Sequence, residues 1–78
     1  MTLEIITPEK ELYNGIVTSV KVPGSAGEFE ILNNHASIVS SLINGKIRVI
    51  NDKQEELNFN IKSGVIEMQK NKIVILAE

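Results

Sequence analysis

Apolar side chains recur at every second residue along most of this chain, and that period constrains the fold more than any other feature. Leu3 and Ile5 share a face. Ile16, Thr18, Val20 and Val22 alternate with Val17, Ser19 and Lys21, and Phe29 and Ile31 alternate with Glu28 and Glu30. Ile47 and Val49 alternate with Lys46 and Arg48, and Leu57, Phe59 and Ile61 with Glu56, Asn58 and Asn60. Successive side chains of an extended strand point to opposite faces, so this is the pattern of strands buried on one side. The run Ile73-Val74-Ile75-Leu76 is apolar on both faces, as expected of a strand covered on both. Branched Ile and Val side chains suit a pleated surface.

Turn-forming residues separate the runs. Asn14-Gly15 and Asn44-Gly45 offer the positive φ that tight hairpins need. Residues 23–27, PGSAG, read as a loop; Asn51-Asp52-Lys53 and Lys70-Asn71 read as polar turns. Residues 36–43 fit two patterns. Ile38 with Leu42 and Val39 with Ile43 match helical spacing, with Asn34 as a cap. β-branching and shortness favour a strand there. Frequent breaks between alternating runs predict an all-β antiparallel sandwich or barrel.

At 78 residues the chain is a single domain, residues 1–78. A domain this small buries only about 60–65% of its unfolded surface. It has no Cys, so neither a disulfide nor a thiolate metal site supports it, and a partner is the expected source of further stability. The hydrophobic fraction of 42% and charged fraction of 23% are those of a folded chain. With a formal net charge of -2 and scattered cations, nucleic-acid binding is not expected. No run approaches the ~20 apolar residues of a membrane span, and Met1-Thr2-Leu3-Glu4 does not open a signal peptide. Direct membrane insertion is not expected, and a cytoplasmic location follows.

Chemistry is sparse. His35 is the one imidazole, and none of the serines lies in a nucleophile-elbow pattern. His35 therefore reads as a loop or partner-facing residue. Gly24-Ser25-Ala26-Gly27 precedes an alternating, acidic strand rather than a helix, so it is a connection and not a phosphate loop. Glu28 and Glu30 share a face and read as solvated or partner-facing carboxylates. No catalytic residue, metal or cofactor is expected.

Residues 20–36, VKVPGSAGEFEILNNHA, strongly resemble the epsilon subunit of bacterial F-type ATP synthases, which typically reads V-x-V-x-G-x-x-G-E-x-G-I-L-x-x-H-A-P. Residues 42–49, LINGKIRV, are similar to that family's L-x-x-G-x-I-R-I. Residues 62–68 and 71–78 resemble S-G-G-F-L-E-V and N-x-V-T-V-L-A-D. The opening residues 3–8, with Tyr13-Asn14-Gly15, also fit, so the blocks run in family order over nearly the whole chain. Glu30 stands where the family usually has Gly, Ser37 replaces a Pro, and Lys62-Ser63-Gly64 replaces Ser-Gly-Gly.

The resemblance implies a flattened β-sandwich of two five-stranded sheets, packed beside the gamma subunit and on the polar loops of the c ring. It implies a non-catalytic rotor role at the cytoplasmic face of the bacterial inner membrane. The family's two C-terminal helices, which carry ATP-linked inhibition, are expected to be absent, because the resemblance ends at Glu78. By the same resemblance, Glu28, Asn33, Asn34 and His35 would face the c ring, and Tyr13, Ile38 and Leu42 the gamma subunit. Competing readings are a stand-alone adaptor binding a peptide along a sheet edge, a small enzyme using Glu28, Glu30 and His35, and a carbohydrate-binding sandwich, which the scarcity of aromatics disfavours.

Overall fold

The computed structural model covers residues 1–78 and contains eight strands and no helix. They are β1 (Thr2–Ile6), β2 (Glu11–Gly24), β3 (Gly27–Leu32), β4 (Ile38–Leu42), β5 (Gly45–Asn51), β6 (Glu56–Ile61), β7 (Gly64–Gln69) and β8 (Lys72–Ala77). The ambiguous stretch around Ile38 is a strand.

One layer holds β1, β8, β7 and β4 in that order. The other holds β3, β2, β5 and β6. The long strand β2 belongs to both. Its first half pairs with β1, from Glu11 opposite Ile6 to Ile16 opposite Thr2. Its second half pairs with β3 on one side and β5 on the other, and Gly24 at its end meets Leu42 of β4.

The change of layer happens at a bulge. Val17 opposes Asn51 and Ser19 opposes Ile50, leaving Thr18 as the extra residue. A bulge bends a strand and inverts the phase of its side chains. From Tyr13 to Val17 the odd-numbered residues face inward, and from Val20 onward the even-numbered ones do; Val17, Val20 and Val22 are all fully buried. The single-phase reading of Ile16, Thr18, Val20 and Val22 is therefore corrected at its first two members. Ile16 is an exposed hydrophobic.

Three further expectations change. Pairing is antiparallel except between β1 and β8, which run parallel. Asn14-Gly15 lies inside β2 instead of turning a hairpin, because β1 across from it continues the ladder. Asn44-Gly45 is a turn but joins strands that do not pair with each other: β4 bonds β7, and β5 bonds β2 and β6. Neither site takes positive φ. Those conformations fall at Gly27, Asn34, Gln54, Lys70 and Asn71. Lys70 and Asn71, with φ of 52 and 59, turn the β7–β8 hairpin in the geometry favoured by strand twist.

The core is one cluster of 15 buried hydrophobic residues drawn from both layers. Leu3, Ile5, Ile66, Met68, Ile73 and Ile75 come from one, and Val20, Val22, Ile31, Ile47 and Val49 from the other. Tyr13, Phe29, Leu57 and Phe59 seal its margins. Replacing Ile75, fully buried, by Ala should cost about 2–5 kcal/mol, the usual range for such a cavity. Urea unfolding followed by circular dichroism should show a lower midpoint with an unchanged slope.

Candidate functional site

No catalytic constellation assembles around the carboxylates or the imidazole. His35 is exposed, and its Nδ1 lies 2.8 Å from the carbonyl of Ala36. Glu28 and Glu30 sit on β3 and spend their charge elsewhere. Glu28 pairs with Lys21 at 3.1 Å, and Glu30 pairs with Arg48 at 2.9 Å while accepting a hydrogen bond from Ser19 at 2.6 Å. The sequence pattern placed both carboxylates on one face correctly, but the cations that meet them belong to other strands, Lys21 to β2 and Arg48 to β5. No group of three or more His, Asp or Glu residues is placed to hold a metal ion.

Of the residues assigned to a c-ring contact, Glu28 follows the β2–β3 turn, whereas Asn33, Asn34 and His35 follow the far end of β3. They are separated by the length of that strand, at about 3.3 Å per residue. Two of the three loop residues are tied into the fold. Asn33 Oδ1 accepts from the Met1 amino group at 2.7 Å, and the Asn34 backbone N–H donates to Asn71 Oδ1 at 2.9 Å. The loop thereby closes over the N-terminus and the β7–β8 turn.

The residues assigned to gamma do not form one surface. Leu42 is 3% exposed and belongs to the core, opposite Gly24 and Gly64, so it is corrected to a packing residue. Ile38 is half-buried against the same cluster. Tyr13 packs edge-on to Phe59, with ring centroids 6.0 Å apart.

The structure shows a surface that was not anticipated residue by residue. On the outer face of the β4–β7–β8–β1 layer, Ser41, Val65, Leu76 and Ile6 stand in register across the four strands. Beside them runs a second row, Val39, Glu67, Val74 and Glu4. Val39 is 74% exposed and Leu76 56%. The two-faced apolar run in β8 had predicted cover on both sides; within this chain only Ile73, Ile75 and Ala77 are covered. A shallow groove of about 660 Å³ continues from this row past Pro8, Ala77 and Ser63 at the end of the layer. Contiguous exposed apolar area of this kind marks an interaction surface.

The profile of the family described as ATP synthase, Delta/Epsilon chain, beta-sandwich domain matches residues 1–78. The chain belongs to that family. The epsilon-family chain is 42% identical over 76 residues to the ATP synthase epsilon chain of Protochlamydia amoebophila, covering 97% of itself and 52% of that relative. It is 42% identical over 77 residues to the ATP synthase epsilon chain of Chlorobium limicola, covering 97% of itself and 86% of that relative. It thus spans about half of the first relative and most of the second.

Two solved assemblies contain the same fold. A chain of the Euglena gracilis mitochondrial ATP synthase, in a structure of its OSCP, F1 and c ring, superposes with a TM-score of 0.87 at 16% identity, covering 96% of this chain and 48% of that one. A chain of the central stalk and c ring of the Tetrahymena thermophila mitochondrial enzyme gives 0.79 at 18% identity, covering 99% and 62%. At such identities the likeness is one of fold.

Tyr13 is the single tyrosine, which makes its margin of the core easy to read. Burial pushes its phenol above the ordinary value, and the carboxylates of Asp52 and Glu55 push it further in the same direction. Absorbance titration near the phenolate band should give a midpoint above that of free tyrosine. Neutralising Asp52 and Glu55 together (D52N with E55Q) should recover only part of the shift, since burial is the larger cause.

Proposed function

We propose that this epsilon-family domain is a non-catalytic part of the central rotor of a proton-translocating F-type ATP synthase, where it links the gamma shaft to the c ring for assembly and coupling. The observation that carries the reading is the set of uncovered apolar side chains Val39, Val65 and Leu76 on β4, β7 and β8, found in a domain whose family match runs through all 78 residues. A strand apolar on both faces is stable when both are covered, and here one cover is missing. The gamma subunit supplies it, seated on Val39, Val65, Leu76 and Ile6. The polar loops of the c ring meet the β2–β3 turn at Glu28 and the loop bearing Asn33, Asn34 and His35. Because these lie at opposite ends of β3, the c-ring footprint runs along that strand.

The mechanism is mechanical. Torque passes through a body that does not yield, and a close-packed aliphatic core has that property. The residues present make no acid–base or nucleophilic pair, so the domain's contribution is shape and stiffness. None of its elements is a helix long and apolar enough to cross a membrane. Its attachment at the cytoplasmic side of the bacterial inner membrane is through the assembly.

Titration calorimetry against gamma from the same source should give a one-to-one complex. Changing Val39 and Val65 to Asp should weaken it by at least about tenfold, since each would place a charge in an apolar interface, while leaving the urea midpoint of the free domain nearly unchanged. Equal affinity for the variant would move the contact off this face. No complex with the folded chain would favour a second reading, an adaptor that captures a peptide strand along β6, which ends its sheet with one free edge.

Added to an epsilon-depleted enzyme, these 78 residues should restore coupling of ATP hydrolysis to proton pumping. They should not impose inhibition that ATP relieves, because the inhibitory role of the family belongs to helices and this segment has none.

A further inference from the structure

We propose that Glu30, Ser19 and Arg48 form a carboxylate-dependent lock across three strands, which stiffens the β2–β3 hairpin against β5. The strand β3 is bonded only to β2 and ends its sheet. An edge hairpin is where local opening costs least. Glu30 offsets this. Its Oε2 accepts from Ser19 Oγ on β2 at 2.6 Å and from Arg48 Nη2 on β5 at 2.9 Å. Since β5 lies on the far side of β2, the carboxylate reaches over an entire strand to make the second bond.

The surroundings support the arrangement. Lys21 is in register between Glu30 and Arg48 and turns its own amine to Glu28. Each carboxylate on β3 thus has a cation on another strand. Ser19 is only 8% exposed, and its Oγ donates to the same Glu30 oxygen that Arg48 meets. Arg48 Nε is buried without a partner, so the contact with Glu30 is what holds the guanidinium. A carboxylate with two charge-assisted or short donors is well placed for such bonds.

The lock is sensitive to acid. The charged groups facing Glu30 are Lys21 on β2 and Arg48 on β5, with Glu28 two residues away on β3 and Lys46 two residues beyond Arg48 on β5. The Ser19 hydrogen bond first, then Arg48 and Lys21, hold the Glu30 carboxyl below its ordinary value against the opposing effect of burial. A group lowered on folding contributes fully above its unfolded value and loses that contribution as pH falls through the folded one. Opening would be local, since β2 remains bonded to β5 and β1 when β3 loosens. The lock belongs to the chain by itself and holds whatever the hairpin meets.

Amide hydrogen exchange on the intact chain tests it. Glu30→Gln keeps the shape and removes the charge. The β2–β3 amides should then exchange roughly three- to fivefold faster, the scale of a partly exposed ion pair acting on a local opening, while the β7–β8 amides keep their rates. Arg48→Met, which leaves the Ser19–Glu30 bond in place, should accelerate the same amides by a smaller factor and add nothing to Glu30→Gln. The difference between native and variant chains should vanish once the pH falls below the lowered Glu30 value. Unchanged β2–β3 rates in Glu30→Gln would overturn the proposal, and so would uniform acceleration over all strands or additive effects of the two substitutions.

Discussion

A single strand has to be hydrogen-bonded in both layers of this domain, and the bulge at Thr18 is what permits it. Without the extra residue, β2 would carry one side-chain phase from Tyr13 to Gly24. Val17 and Val20 are both fully buried, and an unbroken alternation would expose one of them. With the bulge, β2 pairs with β1 in one layer and with β3 and β5 in the other. The layers are then joined by backbone hydrogen bonds as well as by the core. For a chain of 78 residues with no disulfide, that continuity limits how far the sheets can slide or splay.

The two outer faces are finished differently. Over β3, β2 and β5, opposite charges pair across strands and cover even a serine hydroxyl. Over β4, β7, β8 and β1, Val39, Val65 and Leu76 meet water beside Glu67 and Glu4. Ion pairs on a surface contribute little each, but they suit a face that stays solvated. Aliphatic side chains on a surface suit a face that another chain will cover. The asymmetry gives the domain two chemically distinct faces, one ion-paired across strands and one with exposed aliphatic side chains.

Much of this was legible from residue order alone. The period of two located most of the strands, and short turns such as Lys70-Asn71 separated them. The apolar run of β8 reads as covered on both faces, and the structure covers only one of them. The motif around Gly27-Glu28 and His35-Ala36 indicated the family that the full-length match establishes. Less legible were the turns. Asn14-Gly15 has hairpin chemistry but lies in mid-strand, because pairing with β1 through Gly15 outweighs a local preference. Leu42 looked available to a partner, since nothing in its neighbours marks it as the core residue in register between Gly24 of β2 and Gly64 of β7.

Side-chain order along the chain determined that this protein is a small all-β domain with an aliphatic core and a polar histidine loop, because alternation and turn propensity act between near neighbours. Tertiary structure alone decided which strands lie side by side: that β1 runs parallel to β8, that Glu30 reaches Arg48 over Lys21, and that Val39, Val65 and Leu76 fall into one exposed area. Those pairings depend on register between segments far apart in the chain. A shift of one residue in register would send every side chain of a strand to the opposite face, and the choice among registers is made by how the whole core packs.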